Sequence, residues 1–165
     1  MPSIPFAVRA ATEADFKQLC DLFAELDDLH REARPDLFVK PEGLPRERTY
    51  VARLIAGPES TILVASARDS RCLYGFATLI VRSLPANPVR PERRLVEIDN
   101  FSVRKSARRR GIGRALIEHA DRWAARRGFS SVELAVHEFN TGAIEFYQAT
   151  GFSTSLRRMI RSPAP

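Results

Sequence analysis

One stretch constrains this chain more than any other. Leu95 to Val103 alternates like a strand, and a basic turn, Arg108-Arg109-Arg110-Gly111-Ile112-Gly113, follows it. Ile112, Leu116, Ala120 and Trp123 then recur on one face of a helix that Gly128 ends. A strand feeding a glycine-bearing turn and an amphipathic helix is the first half of a βαβ unit, which belongs to layered α/β folds. The first turn of a helix carries N–H groups without intrahelical acceptors and a partial positive charge. Glycines let a phosphate approach that backbone, and arginines add charge-assisted hydrogen bonds. The turn is therefore read as a pyrophosphate cradle. Two other phosphate motifs are excluded: GxGxxG fails at Leu116, and no GxxxxGK is present.

The remaining segments supply the partners such a unit needs. Phe6 to Arg9 reads as a first strand. Thr12 caps a helix in which Phe16, Leu19, Leu22, Phe23 and Leu26 share a face, ending near Leu29. Arg46 to Ala56 reads as a second helix, stopped by Gly57-Pro58. Thr61–Ala65 and Cys72–Arg82 read as strands joined by a turn over Arg68-Asp69-Ser70-Arg71. Val132 to Val136 is a strand of buried type, Asn140 caps a helix through Tyr147, and Phe152 to Ile160 reads as a last strand. This order predicts antiparallel hairpins followed by a βαβ unit, in a mixed, twisted sheet with helices on both faces.

Composition narrows the class. With 165 residues, 44% apolar and 28% charged, the chain can bury a core, and disorder is excluded. No apolar run approaches the ~18 residues of a membrane span. Met1-Pro2-Ser3-Ile4-Pro5 lacks the basic and apolar regions of a signal peptide. Cys20 and Cys72 form no CxxC, and His30, His119 and His137 show no ligand spacing, so no metal is expected. Cys72 is assigned to core space, and the location expected is cytoplasmic. The net charge is +6, unevenly spread: the front, Thr12 to Glu47, is acidic and the middle, Arg82 to Arg114, is basic. A basic middle suits a polyanionic ligand.

The segment Ile98-Asp99-Asn100-Phe101-Ser102-Val103, with Arg108-x-x-Gly111-x-Gly113-Arg114-Ala115-Leu116, resembles motif A of the GCN5-related N-acetyltransferase (GNAT) superfamily. Asn140-x-x-Ala143-x-x-Phe146-Tyr147-x-x-x-Gly151-Phe152 resembles its motif B, at the expected spacing. Lys105 stands where that family often has proline. The resemblance implies an α/β (mixed α+β) fold forming one domain over residues 1–165, with a sheet of about six or seven strands. It implies an N-acetyltransferase that moves an acetyl group from acetyl-CoA to a primary amine in a ternary complex, without a metal. Phe101, Ser102 and Val103 would hold the pantetheine arm as an added strand does, with a bulge near Asn100 to aim them. Arg108, Arg109, Arg110, Gly111, Ile112, Gly113 and Arg114 would take the pyrophosphate. Asn140 would touch the pantetheine or fix splayed strands. Glu97 or Asp99, directly or through water, would take the amine proton, and Tyr147, also beside the cofactor, would protonate the departing thiolate. Asp28, His30 and Phe38 fall in a segment that would face the acceptor. The partners implied are acetyl-CoA and an amine, with a homodimer common in the family.

Each residue also has a plainer reading. The arginine run can be a solvated or nucleic-acid-facing surface, which would make the chain a binding domain. Tyr147 can be a core residue of its helix, and Asn140 a cap alone. Glu97 and Asp99, two apart on a strand, share a face and can be paired with arginine. A non-catalytic CoA-binding module is the further alternative.

Overall fold

The computed structural model describes residues 5–68 and 72–161. The chain falls into two compact units, one up to Ala135 and the other from Val136 onward. The first contains β1 (Phe6–Ala10), α1 (Phe16–Ala33), α2 (Arg48–Ala56), β2 (Ser60–Ala67), β3 (Leu73–Leu84), β4 (Arg93–Val103), α3 (Ile112–Ala125) and β5 (Val132–Leu134). Short 3₁₀ turns at Glu13–Asp15 and Lys105–Ala107 precede α1 and follow β4. The second unit contains α4 (Thr141–Ala149).

The strands lie in the order β1-β2-β3-β4-β5. Every neighbouring pair is antiparallel except β4 and β5, which are parallel. That exception follows from α3: a strand, a crossover helix and a returning strand are parallel by construction. β2 is buried on both faces because helices cover both. Ile62 and Val64 join Phe16, Leu19, Phe23, Val51 and Leu54 of α1, α2 and their entry in one core. Leu63 and Ala65 point the other way by strand alternation and are equally buried. There α3 contributes Ile112, Leu116, Ile117 and Ala120, none more than 3% exposed.

The entry to α1 differs from a simple threonine cap. The Asp15 carboxylate accepts from the Thr12 N–H at 2.8 Å and from the Thr12 hydroxyl at 3.2 Å. Arg9 of β1 donates to both of its oxygens, at 2.7 and 2.8 Å. That guanidinium holds the buried Asp15 carboxyl below the usual carboxylate range, against the opposing effect of burial.

Four expectations need correction. Among the described residues the sheet has five strands, not six or seven: Phe152 to Ile160 forms no strand, and Leu156, Met159 and Ile160 are 81%, 87% and 73% exposed. Local residue preference can suit a strand, but a strand exists only where a ladder partner accepts it. For the same reason β5 stops at Leu134, short of Val136. α1 continues past Leu29 to Ala33 because its final turn still closes, Arg34 N–H donating to the His30 carbonyl at 2.8 Å. Cys72 is exposed just before β3, and Cys20 on α1 is the buried thiol. The turn at Arg68–Arg71 lies partly, and the Met1–Ile4 segment wholly, outside the described residues, although the β2–β3 pairing that the turn would join is present.

Candidate active site

The basic turn has the conformation its residues suggested. β4 ends at Val103, and the chain passes through Lys105–Ala107 to Arg108. Arg109 adopts φ 62° and Gly111 φ 80°, both left-handed. The first is uncommon for a residue with a side chain and marks a tightly specified turn. Gly111 is the residue that caps α3, so the helix opens at Ile112 with its first-turn N–H groups beside the arginines. Ile112 is buried and anchors the helix start, while Arg108, Arg109, Gly111 and Arg114 are exposed and Arg110 and Gly113 are half-buried. Arg108 Nε donates to the Val103 carbonyl at 3.0 Å, tying turn to strand. The Lys105 N–H donates to the Glu25 carboxylate of α1 at 2.7 Å, a bond that proline at that position could not make.

β4 outruns its parallel partner. The β4–β5 ladder pairs Val96 with Val132, Glu97 with Glu133 and Ile98 with Leu134, and stops there. β4 continues to Val103, paired on its other side with β3: Asn100 with Thr78, Phe101 with Ala77, Ser102 with Phe76 and Val103 with Gly75. Gly75 is required by closeness, since a Cβ there would lie 2.6 Å from the Ser102 carbonyl oxygen and 3.2 Å from Val103 Cα. Ser102 is buried, and Phe101 and Val103 are half-buried.

The bulge falls where the ladder ends. Thr78 pairs with Asn100 but Leu79 pairs with Ile98, so Asp99 is the extra residue on β4. An extra residue flips alternation beyond it and bends the strand. Asp99 and Asn100 thus share one face with Glu97, and Asn100 Nδ2 donates to Asp99 Oδ2 at 2.6 Å. Both carboxylates are met by Arg82 of β3. Arg82 Nε donates to Glu97, and Arg82 Nη2 lies 3.6 Å from Asp99 Oδ1. Burial first, and then the neighbouring Glu97 charge, push the Asp99 carboxyl above its usual range, with Arg82 and Arg46 pulling the other way. Arg82, Leu84, Leu95, Glu97, Glu133 and Leu134 line a cleft on this part of the sheet. Thr78, fully buried, has a hydroxyl without a hydrogen-bond partner among the described residues.

Two of the residues expected to face the acceptor come together: the His30 and Phe38 rings have centroids 5.2 Å apart. Asp28 is paired with Arg31 at 2.6 Å. In the second unit Asn140 is the cap of α4, its side chain accepting from the Ala143 N–H at 3.2 Å. Tyr147 lies about two turns on, its ring 5.4 Å from Phe146 and 5.7 Å from Phe152. Burial pushes its phenol up to about 12. Sequence reasoning missed Arg82, Arg46, Tyr50 and Gly75. The i,i+2 spacing of Glu97 and Asp99 exposed the pair, but nothing along the chain announces that Arg82 sits diagonally across it.

A basic, glycine-bearing turn at a helix start, fed by a bulged strand that carries two carboxylates, belongs to a layered α/β class of fold. Comparison with known proteins makes this specific. Residues 23–152 match the model of the acetyltransferase (GNAT) family. The chain is 48% identical over 61 residues to an uncharacterised N-acetyltransferase of Methanocaldococcus jannaschii, covering 37% of this chain and 27% of that protein. It is 29% identical over 128 residues to an aminoglycoside N(6')-acetyltransferase type 1 of Klebsiella aerogenes, covering 74% and 82%. It spans about a quarter of the first of these relatives and two-fifths of a rat N-acetyltransferase family 8 member 3. A crystal structure of a BH1408 tetramutant from Bacillus halodurans superposes with a TM-score of 0.89 at 24% identity, covering 95% of this chain and 99% of that one, and shows the shared fold. The chain belongs to the acetyltransferase (GNAT) family, a family of acyltransferase enzymes. Among the described residues no helix is long and apolar enough to cross a membrane, and no group of three or more His, Cys, Asp or Glu side chains is placed to hold a metal ion.

Proposed function

We propose that this protein is an N-acetyltransferase that moves the acetyl group of acetyl-CoA directly to a primary amine. The observation that carries the reading is that β4 outruns β5 and runs from a bulge straight into the glycine turn of α3. An extended pantetheine arm suits such a strand end, where a parallel ladder stops and backbone is left to pair. The 3'-phosphorylated nucleotide and pyrophosphate suit the turn from Arg108 to Arg114. The family match across both units supports treating residues 1–165 as one working domain. A cytoplasmic enzyme and a homodimer belong to the same reading.

The chemistry is a single displacement. The amine nitrogen attacks the thioester carbonyl carbon, the C–S bond breaks, and CoA leaves as its thiolate. Free alkylamines have pKa values of roughly 10, so a base must hold the amine neutral or take its proton. Asp99, held above the ordinary carboxylate range, is assigned as the base. Glu97 is committed to Arg82. Tyr147, protonated throughout the neutral range, is assigned to donate to the thiolate. Asn140 is assigned to cap α4 and to steady the neighbouring carrier. Asp28, His30 and Phe38 are assigned to the acceptor side. Most of the rate comes from holding both substrates together, so loss of the base slows transfer without abolishing it.

Thermal unfolding with acetyl-CoA, with adenosine diphosphate as control, tests the cofactor. At 100 times its dissociation constant a ligand adds about 2.7 kcal/mol. For a chain of this length that raises the midpoint by about 5–10 °C. A rise of that size with acetyl-CoA and a smaller one with the control supports the reading; no rise at saturating acetyl-CoA rejects it.

A further inference from the structure

We propose that Arg82 sorts the two carboxylates at the bulge, holding Glu97 as a fixed counter-charge and leaving Asp99 as the proton acceptor. The role is one of positioning, and it rests on the acyltransferase reading above. Two carboxylates on one face, a bulge apart, repel each other. A cation between them can be shared evenly or committed to one. Here it is committed. Arg82 donates a hydrogen bond to Glu97 through Nε, whereas its Nη2 stays 3.6 Å from Asp99, a distance at which charge acts but no hydrogen bond forms. Charge-assisted hydrogen bonds are about twice as strong as neutral ones, so the carboxylate that receives one has its lone pair engaged and is the less available acceptor. Asp99 receives its hydrogen bond from the neutral Asn100 amide instead.

The register explains the asymmetry. Glu97 pairs with Ile80, two residues from Arg82 on the same face of β3. Asp99 is the unpaired residue of the bulge and is carried further from Arg82 along the strand. The other groups that act on Asp99 come from three places. Arg46, which precedes α2, is a second cation and is itself held by Asp27 of α1 at 2.8 and 3.1 Å. Tyr50 of α2 lies within electrostatic reach of Asp99, with Arg53 on the same helix, 5.8 Å from the Tyr50 ring. Among the described residues, Glu97 is the acid whose charge raises Asp99. Removing Arg82 and removing Glu97 must therefore move Asp99 in opposite directions. A residue that only props the fold does not give such a pair of signs.

The test is a titration of the full-length protein labelled with ¹³C at the aspartate carboxyls. The Asp99 signal is identified by its loss in Asp99→Asn. Arg82→Gln is expected to raise the Asp99 midpoint by about one pH unit, the low end of what an opposite charge at this range contributes. Glu97→Gln removes the like charge and frees Arg82 to bond Asp99, and is expected to lower the midpoint. Arg82→Lys, which keeps the charge, is expected to stay near the parent value. No rise in Arg82→Gln, or no fall in Glu97→Gln, overturns the sorting role. If Arg82→Gln does not fold, Glu97→Gln and Arg82→Lys decide it by the same signs. The titration needs no substrate, so a chain that fails to turn over acetyl-CoA would reject the enzyme reading and leave this result readable by itself.

Discussion

Asp99 is where burial, charge and backbone geometry meet. Its side chain is 29% exposed, and burial together with Glu97 raises its protonation midpoint above the ordinary carboxylate value. A carboxyl raised by folding favours the folded state in its protonated form. Its unfavourable contribution therefore appears as pH climbs through the ordinary value and is complete above the raised one. Asp99→Asn is expected to gain stability relative to the parent as pH rises, and to match it in acid where both side chains are neutral. Midpoints of thermal unfolding across acid and neutral buffers measure this. The same variant is expected to lose about 10²-fold or more in amine acetylation and to flatten the acid limb of the rate–pH profile. An unchanged limb would move the base to Glu97 or to water. Glu97 and Asp99 were legible in the sequence because strand alternation puts i and i+2 on one face. The choice between them was not legible, since it depends on Arg82, which is distant in sequence and is brought across by the β3–β4 register.

At the scale of elements, the loop between β4 and α3 was the most legible part of the chain. Glycine at a left-handed cap, arginines before it and an apolar stripe after it are local signals, and the structure realises each locally. Strands fared less well. β2, β3 and β4 form where expected, yet Phe152 to Ile160 does not become a strand and β5 holds only three residues. A helix closes its own hydrogen bonds, whereas every ladder bond of a strand needs a neighbour. Gly75 shows the same limit from the other side. Its role is to let β3 approach the end of β4, and no residue near it in sequence reveals that contact. Gly75→Ala is expected to destabilise the protein by about 1–3 kcal/mol, the usual cost of overpacking, because the atoms met are backbone and cannot swing aside. It should also weaken acetyl-CoA binding by displacing Ser102 and Val103. Urea unfolding and calorimetric titration with acetyl-CoA check the two parts, and a variant as stable as the parent would show that the strands have room to spare.

Across the whole molecule, burial is uneven and should be visible in exchange kinetics. β2 and the inner part of β3 are covered on both faces, whereas β1 and β5 are sheet edges and residues 152–161 carry no ladder. Backbone amides of β2 and β3 are expected to exchange slowest, and those of β5 and 152–161 fastest. Hydrogen–deuterium exchange read by mass spectrometry would show this, and strong protection over 152–161 in the isolated chain would mean that the segment does find a partner strand. The sequence by itself determined the class of fold, the helices, the hairpin order, the βαβ unit and the basic glycine turn, because each rests on periodicity or on backbone preferences within a few residues. Only the tertiary structure decided how many strands the sheet holds, that Asp99 is the extra residue of the bulge, how far β4 runs beyond β5 and which carboxylate Arg82 holds, because these depend on pairing and charge between residues far apart along the chain.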